Sequence, residues 1–462
     1  MQKKSLKYSK TDASLMFLIN IVTDVSDMIS QILFVILTSV AVYFFSKNIG
    51  KIRRNTLLGK DIDLTDSKPL RFKTMLRVSF GQSKMSARLV PFILHFIVYG
   101  GFILINIEVL EILIDGIFGT HRVLSFLGPV YNLAIGFFEI LAFLTLIACV
   151  IFLSRRYILK LKRFANPDLK GFPSRDAATI LFIEIVLMAA LLKANAFEQI
   201  LQSQGVEHYK HVGSFPISQF LVPLYESFHF SIGTLILFER MCWWFHIIGI
   251  FLFLNYLPFS KHFHVILAFP NTWYSNLNPK GELNNMASVT QEVKLMLDPS
   301  AQTPEGYQPP TSFGVKDVFD LTWKNLMDAY TCTECGRCTS VCPQNITGKK
   351  LSPRKIMMST RDRLEEVGKN MDANKSFVED KKNLHSYISE EELWACNSCN
   401  ACVEACPVNI NPLEIIVEMR RYKVMEQSAA PQSLNSMFNN LENNQAPWQF
   451  SPMDRAKWTE EI

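Results

Sequence analysis

The chain has 462 residues, which is enough for two or three domains. Charged residues make up 19% and hydrophobic residues 49%, with 35 Phe and a mean hydropathy of +0.14. This composition excludes a disordered chain, which would be polar and highly charged, and argues against an ordinary all-soluble enzyme. The net charge of +5 is small and is concentrated in loops beside apolar segments, so nucleic acid is not a predicted partner.

Five apolar segments are candidates for crossing a bilayer, which takes about 20 mostly apolar residues. They are residues 28–46, 89–107, 123–154, 177–197 and 241–260, with Val265–Phe269 prolonging the last. A sixth apolar segment, residues 216–236, contains Glu226 and other polar residues, and we interpret it as an interfacial helix. Residues 1–27 are polar, so no cleavable signal peptide is predicted.

The distribution of Lys and Arg predicts the orientation in the membrane, because cytoplasmic loops carry an excess of these residues. Loop 47–88 has eleven of them and loop 155–175 has seven, whereas loops 115–122 and 198–215 have one each. The two rich loops are therefore predicted to be cytoplasmic. Five crossings then place the N-terminus outside the cell and everything after about residue 270 in the cytoplasm. The predicted membrane is the inner (cytoplasmic) membrane.

The composition changes after residue 270, and no β-strand pattern stands out. We predict an all-α protein in which a bundle of five transmembrane helices is followed by a cytoplasmic α-helical domain. The predicted parts are a membrane domain at 1–270, a linker rich in Pro, Asn, Gly and Ser at 271–313, a soluble domain at 314–426 and a mobile tail at 427–462.

Eight of the ten cysteines form two copies of the pattern C-x2-C-x2-C-x3-C-P, which is the spacing of two-cluster ferredoxins. Three thiolates on one tight loop bind three corners of a cube, and the fourth cysteine, followed by Pro, reaches the other cube. The predicted ligands are Cys332, Cys335, Cys338 and Cys406 for the first cluster and Cys396, Cys399, Cys402 and Cys342 for the second.

Zinc and disulfides are the alternatives for these cysteines. Structural zinc sites normally use ligands in pairs, and disulfides are disfavoured in a cytoplasmic domain. Cys149 and Cys242 fall in apolar segments and are predicted to be inert buried thiols. Two fully protein-ligated clusters indicate one-electron transfer, because no iron is open to a substrate.

Histidines in the apolar segments are candidate haem ligands, because ionisable residues within membranes are rare and usually functional. His95 and His264 lie at a similar depth of roughly 10 Å at 1.5 Å per residue, which suits the two axial positions of one haem b. His246 precedes His264 by 18 residues, or five turns, so the two share a face if the helix continues through Pro258. A second haem at His246 would need His229 or His121 as its other ligand.

Two acidic residues, Glu139 and Glu184, also fall in predicted spans. They are candidates for relaying protons to a quinone, and pairing with polar neighbours is the other reading. The sequence alone leaves both readings open.

The soluble region resembles the two-cluster ferredoxin domain of heterodisulfide reductase-related proteins. The matching segments are Leu321–Trp323, Asp328–Cys338, Leu351–Lys355 and Leu393–Cys396. The membrane region resembles the gamma subunit of respiratory nitrate reductase, a five-span haem b protein that exchanges electrons with quinone. That resemblance depends on His95 followed by Gly100–Phe102, on Trp243–His246 and on Leu257–His264.

Both resemblances imply an electron-transfer subunit of a membrane-bound oxidoreductase, which connects a cytoplasmic redox partner to the quinone pool. The second predicted span has a single His, whereas diheme relatives have two, so it lacks one of the axial ligands that an outer haem has in those relatives. The chain also has no Cys-Cys pair, so the catalytic site is expected on another subunit, either a Cys-Cys-Gly iron–sulfur protein or a flavin dehydrogenase. The alternatives are a haem-free membrane anchor with a ferredoxin docking module, and a redox sensor that acts through the 427–462 tail.

Overall fold

The computed structural model describes residues 10–164, 166–279, 281–298, 300–303 and 312–460. Within these ranges the chain forms helices and no β-strand, which confirms the predicted all-α class. In chain order the α-helices are α1 (Lys10–Thr56), α2 (Lys68–Met75), α3 (Leu89–Phe118), α4 (Pro129–Tyr157), α5 (Phe172–Ser203), α6 (Val222–Glu226), α7 (Ile232–Tyr256), α8 (His264–Trp273), α9 (Ala287–Leu297), α10 (Trp323–Thr331), α11 (Arg337–Val341), α12 (Pro343–Ile346), α13 (Pro353–Asn374), α14 (Glu390–Ala395), α15 (Ala401–Ala405), α16 (Pro412–Met425) and α17 (Gln432–Asn444).

Five helices of the described chain are long and apolar enough to cross a membrane, which confirms the predicted number. They are Met28–Thr56 within α1, the helices α3, α4 and α5, and Ile232–Phe259, which is α7 extended by one turn. The segment interpreted as an interfacial helix is divided into a turn at Ser218–Phe220, the short α6 and the start of α7. Its position relative to a membrane stays a prediction.

Local sequence signals explain where these long helices begin and end. Gly119 follows α3 with a left-handed φ of 67°, a conformation that glycine adopts without steric cost at helix C-termini. Pro129 begins α4, where its missing N–H is not needed by the helix. The side chain of Ser231 accepts a hydrogen bond from the Thr234 backbone N–H and caps α7.

The described residues form two compact units, each assembled from separate stretches of chain. The first unit contains the chain up to Gly50 together with Met85–His262. The second contains Lys51–Lys84 together with the chain from Phe263 onward. The first helix, α1, therefore contributes residues to both units.

The first unit is a helical bundle in which α4 packs against α3 and α5, and α5 packs against α7. Its core contains Ile135 and Leu187, and Phe34 of α1 is buried against Trp243 and Trp244 of α7. Many other apolar side chains on these helices are exposed, as expected for surfaces that face lipid.

The α7 helix ends at Tyr256, and α8 begins only at His264. Pro258 lacks the N–H that a continuing helix needs, and the chain forms a 3-10 turn there. Asp176 of α5 fixes this break by accepting hydrogen bonds from the Tyr256 hydroxyl at 2.6 Å and from the Ser260 hydroxyl at 2.7 Å. The prediction that His246 and His264 share one helical face is therefore wrong, because it required a continuous helix.

The second unit has its core among α10, α13 and α16, where Leu326, Ile356 and Ile415 are fully buried. Ile52 near the end of α1 and Leu58 just after the helix pack against this core. The predicted linker contains the helix α9, and the predicted tail contains α17.

Candidate iron–sulfur centre

The two cysteine motifs adopt the same local structure. A helix ends immediately before the first cysteine of each motif, α10 before Cys332 and α14 before Cys396. The third cysteine lies in a five-residue helix, and the fourth, Cys342 or Cys406, has an extended backbone and precedes a proline. The internal repeat seen in the sequence is therefore also a repeat in the fold.

Each loop reverses direction through two residues with left-handed backbone conformations. In the first loop these are Glu334 with φ 54° and Gly336 with φ 72°. In the second they are Ser398 with φ 54° and Asn400 with φ 59°, at the equivalent positions. Non-glycine residues rarely adopt positive φ, and such strain is retained where the surrounding structure requires a particular turn.

The fourth cysteine of each motif lies beside the loop of the other motif. The Cys338 thiol interacts electrostatically with Cys335, Cys332 and Cys406, and more weakly with Cys402 of the other set. The Cys402 thiol interacts with Cys396, Cys342 and Cys399. The structure thus brings together the two sets of four cysteines that the sequence predicts, and their assignment as ligands stays a prediction.

The cysteines differ in how far solvent reaches them. Cys332, Cys342, Cys402 and Cys406 are buried, whereas Cys399 is exposed. Burial raises the pKa of the Cys332 thiol to about 12 and that of Cys406 to about 11. Iron binding must therefore displace protons from these thiols, as it does at any thiolate site.

The donor set suits iron–sulfur clusters. All ten cysteines lie in the described part of the chain, and each is a free thiol. In that part, no three His, Cys, Asp or Glu side chains are close enough to hold a single metal ion. A four-iron cluster instead takes one thiolate at each iron corner.

The backbone N–H of Ile410 donates to the Cys406 sulfur at 3.3 Å, and that of Ser398 donates to the Cys396 sulfur at 3.4 Å. Such bonds stabilise thiolates and tune clusters.

Charged residues that the cysteine spacing does not single out also surround the loops. Arg361 of α13 is ion-paired with Glu334 at 2.6 Å, and Arg420 of α16 contacts the second loop. Arg337 donates to the backbone oxygen of Lys84. Arg361 and Arg420 come from helices outside the motifs, so motif spacing alone carries no signal for them.

Two of the predicted haem ligands have half-buried side chains. His95 lies in the second turn of α3, in the first compact unit, and His264 is the first residue of α8, in the second unit. Neither side chain is fully buried. Imidazole nitrogen is also the donor that axial haem ligation requires.

His246 is buried, with its ring Nδ1 hydrogen-bonded to the backbone oxygen of Leu187 at 2.9 Å. The carbonyl can only accept, so Nδ1 carries the proton and Nε2 is the basic nitrogen. His246 and His121 line the same cavity, which has a volume of about 40 Å³. The alternative ligand His229 is exposed and lies outside this cavity's lining.

Arg122 also lines that cavity. Its guanidinium is ion-paired with Glu108 at 3.0 Å and with Glu198 at 2.7 Å, and it donates a hydrogen bond to the Asn195 side chain at 3.2 Å. These side chains come from α3, α5 and the loop between α3 and α4. A buried network assembled from three distant segments has no sequence signature, so the sequence indicated Arg122 only as a loop charge that bears on topology.

Glu139 holds a loop against the bundle. Its carboxylate accepts hydrogen bonds from the Ile217 backbone N–H at 2.8 Å, the Ser218 hydroxyl at 2.5 Å and the Asn195 amide at 3.2 Å. These bonds match the reading in which it pairs with polar neighbours. Within the described residues Glu184 forms no hydrogen bond or ion pair, and it lies near the Cys149 thiol. The proton-relay reading of either residue stays a prediction.

Comparison with known proteins identifies the cysteine region. Residues 331–410 match the model of a family described as a 4Fe-4S dicluster domain. This confirms that the cysteine region is an iron–sulfur domain, and its bounds at 314–426 stay a prediction. No solved structure matches the chain significantly.

Two relatives match nearly the whole chain. A probable iron-sulfur-binding oxidoreductase, FadF, of Bacillus subtilis is 28% identical over 94% of this chain and 61% of its own length. An EtfAB:quinone oxidoreductase of Syntrophomonas wolfei is 27% identical over 88% of this chain and 56% of its own length. The chain therefore spans about three fifths of the length of these relatives, and it is similar to iron–sulfur oxidoreductases.

A third relative matches the iron–sulfur region alone. It is one of the subunits of a ferredoxin/F420H2-dependent CoB-CoM heterodisulfide reductase of Methanosarcina acetivorans, and it is 30% identical over 25% of this chain and 60% of its own length. The predicted resemblance of the soluble region to heterodisulfide reductase-related proteins is thereby confirmed. The resemblance of the membrane region to nitrate reductase gamma stays a prediction.

Proposed function

We propose that the chain is a membrane-bound electron-transfer subunit, which connects a redox partner in the cytoplasm to the quinone pool through two [4Fe-4S] clusters and one haem b. The observation that carries the proposal is that a dicluster domain and five membrane-length apolar helices occur on one chain. A similar protein is named for quinone oxidation–reduction, which supports quinone as the membrane substrate. The partner would be a Cys-Cys-Gly iron–sulfur protein or a flavin dehydrogenase that carries the catalytic site.

The eight loop cysteines would hold the clusters in the crossed arrangement described above, and bound clusters of this type supply one-electron transfer. The chain's own contribution is to exclude water and to fix the thiolates. Cys332 and Cys406 lie in the buried core, and tight loops with positive φ hold the other ligands in register.

His95 and His264 would supply the axial nitrogens of the haem. A second haem between His246 and His121 is not part of the proposal, because the residues there do not fit one. The cavity of about 40 Å³ is far smaller than the roughly 300–1,000 Å³ typical of cofactor pockets. The ion pairs of Arg122 also line it, and a macrocycle would have to break them.

The positive loops predict that the iron–sulfur domain lies in the cytoplasm of a cell whose inner membrane contains this chain. Cysteine reactivity at Cys399, which is exposed, tests this orientation. A membrane-impermeant thiol reagent should label the cluster-free protein in inverted vesicles and spare it in intact cells. The reverse pattern would contradict the orientation.

The haem assignment is tested by the dithionite-reduced minus oxidised spectrum of the purified chain, which should show a b-type alpha band. His95→Ala should abolish the band, and His229→Ala, at an exposed position, is the matched control. A full band in His95→Ala would exclude His95 as a ligand. Absence of haem from the unmodified chain, together with intact clusters, would instead favour a haem-free membrane anchor with a ferredoxin docking module.

A further inference from the structure

The helices that follow the two cysteine loops carry equivalent arginines. The helix α13 begins at Pro353 behind the capping residue Ser352, and α16 begins at Pro412 behind the capping residue Asn411. The ninth residue of α13 is Arg361, and the ninth residue of α16 is Arg420. The two arginines therefore occupy matching places in the repeat.

Arg361 lies near the first cysteine of the first loop, Cys332, where its charge is neutralised. The neutralising group is Glu334, whose carboxylate lies 2.6 Å from the guanidinium. The Glu334 side chain is 3% exposed, so this ion pair is shielded from solvent. The pair therefore adds little net charge beside Cys332.

Arg420 lies near the first cysteine of the second loop, Cys396. Its guanidinium donates to the backbone oxygens of Leu393 at 2.9 Å and Cys396 at 2.6 Å, and it stacks 5.2 Å from the Trp394 ring centre. The position equivalent to Glu334 is Ser398, which has the same φ of 54° and no charge. Within the described residues Arg420 forms no ion pair, so its positive charge is uncompensated.

We infer that Arg420 is a positioning residue that raises the reduction potential of the second cluster, and that Glu334 cancels the equivalent effect of Arg361 at the first. Adding an electron makes a cluster more negative, and an uncompensated cation nearby stabilises that state. The inference rests on the cluster ligands assigned under the proposed function. The difference between the two loops on which it depends is that Ser398 occupies the position of Glu334 in the repeat.

Other basic groups lie near the first loop. Lys84 is close to Cys406, and Arg337 and Arg354 line the cavity at the cluster cysteines. These groups keep their charges in the variants below. The inference therefore concerns the shift that each variant produces and not the absolute order of the two potentials.

The first test is potentiometric titration of the full chain, followed by electron paramagnetic resonance. Signals are assigned to clusters with Cys335→Ala and Cys399→Ala, each of which removes one proposed ligand. In Arg420→Gln the second cluster should become harder to reduce by roughly tenfold in equilibrium constant, which is about 59 mV for one electron. The first cluster should not shift.

Two variants separate charge from hydrogen bonding. Arg420→Lys keeps the charge and loses the planar donor geometry, so it should retain most of the potential. Arg421→Gln is the matched control, because this neighbouring arginine is ion-paired with Glu418 on the same helix. It should leave both potentials unchanged.

Two further variants exchange the features of the loops. Ser398→Glu gives Arg420 a carboxylate partner at the position that Glu334 occupies in the first loop. It should therefore lower the reduction potential of the second cluster. Glu334→Gln exposes the charge of Arg361 and should raise the potential of the first cluster. Iron and labile sulfide are counted in every sample, so that loss of a cluster is distinguished from a shift.

Failure of the inference differs from failure of the proposed function. Eight irons per chain with unshifted potentials in Arg420→Gln and Glu334→Gln would overturn the inference and leave the clusters in place. If Arg420→Gln loses the second cluster, Ser398→Glu and Glu334→Gln decide instead, and unshifted potentials there overturn it. Far fewer than eight irons in the unmodified chain would overturn the proposed function itself.

Discussion

His121 illustrates how burial outweighs a neighbouring charge at the level of one residue. Its Nε2 lies 3.6 Å from the Glu198 carboxylate, and its ring contacts the rings of His208 and Tyr209. Burial nevertheless lowers the pKa of His121 to about 4, because desolvation outweighs the attraction of Glu198 and because Arg122, Arg240 and His208 oppose the charge further. The folded chain therefore keeps this imidazole neutral at neutral pH.

This burial predicts a loss of stability in acid. The ordinary His pKa is 6.5, so the unfolded chain binds a proton at His121 as the pH falls from 6.5 toward 4, while the folded chain does not. The contribution is fully present above pH 6.5 and is lost by at most about 1.4 kcal/mol per pH unit below it. His121→Gln should flatten the fall in melting temperature of the detergent-solubilised chain between pH 6.5 and 4.5. An unchanged slope would contradict this, and His229→Gln is the exposed control.

At the scale of elements, the segment after α1 is tied to the start of α10 by backbone hydrogen bonds. The Lys60 N–H donates to Leu321 O at 2.7 Å, and the Trp323 N–H donates to Lys60 O at 3.0 Å. Gly59 permits this close approach. A Cβ at that position would lie 2.7 Å from Leu321 O and from the backbone of Thr322 and Trp323.

Gly59→Ala should therefore break this bridge. Backbone atoms cannot move aside cheaply, so we expect destabilisation of about 1–3 kcal/mol, the usual cost of overpacking. Hydrogen exchange should become faster at the Lys60 and Trp323 amides. Gly50→Ala is the matched control, because a Cβ at Gly50 would have no neighbouring atom within 4 Å. Gly50 also lies within the helix α1, where Ala is favoured over Gly. Unchanged exchange in Gly59→Ala would show that the loop tolerates the methyl group.

At the scale of the whole molecule, the iron–sulfur unit is discontinuous in sequence. Residues 51–84 belong to it, although about 180 residues separate them from the rest. The Asn55 amide donates to the Tyr330 hydroxyl at 3.0 Å, and Arg54 is ion-paired with Asp372. A cut at the predicted domain boundary near residue 270 would remove these contacts.

A fragment of residues 263–462 should therefore be less stable than the same fragment fused to residues 51–84. Without the fused segment, Tyr330 loses its hydrogen-bond partner and the core loses Ile52 and Leu58. Thermal unfolding and iron retention after reconstitution measure the difference. Equal melting temperatures and iron contents in the two fragments would show that residues 51–84 are dispensable.

The sequence predicted those features that depend on neighbouring residues. Three of the four cysteines proposed for each cluster lie within seven residues, so the iron–sulfur domain could be predicted from their spacing. Membrane-length helices show as apolar runs, so their number could be predicted too. Features assembled from distant segments were missed. The Arg122 network joins three such segments, and Arg420 reaches its loop from the following helix. The helical register from His246 to His264 failed because Pro258 ends α7.

The unequal exposure of the cysteines has a practical consequence for handling the protein. Cys399 is exposed, whereas Cys332 and Cys406 are shielded by the core. Oxidants dissolved in the buffer can thus attack the second loop at that corner before they penetrate to the first. Material prepared in air should lose metal from the second site first, so the ratio of the two sites measures how strictly oxygen was excluded.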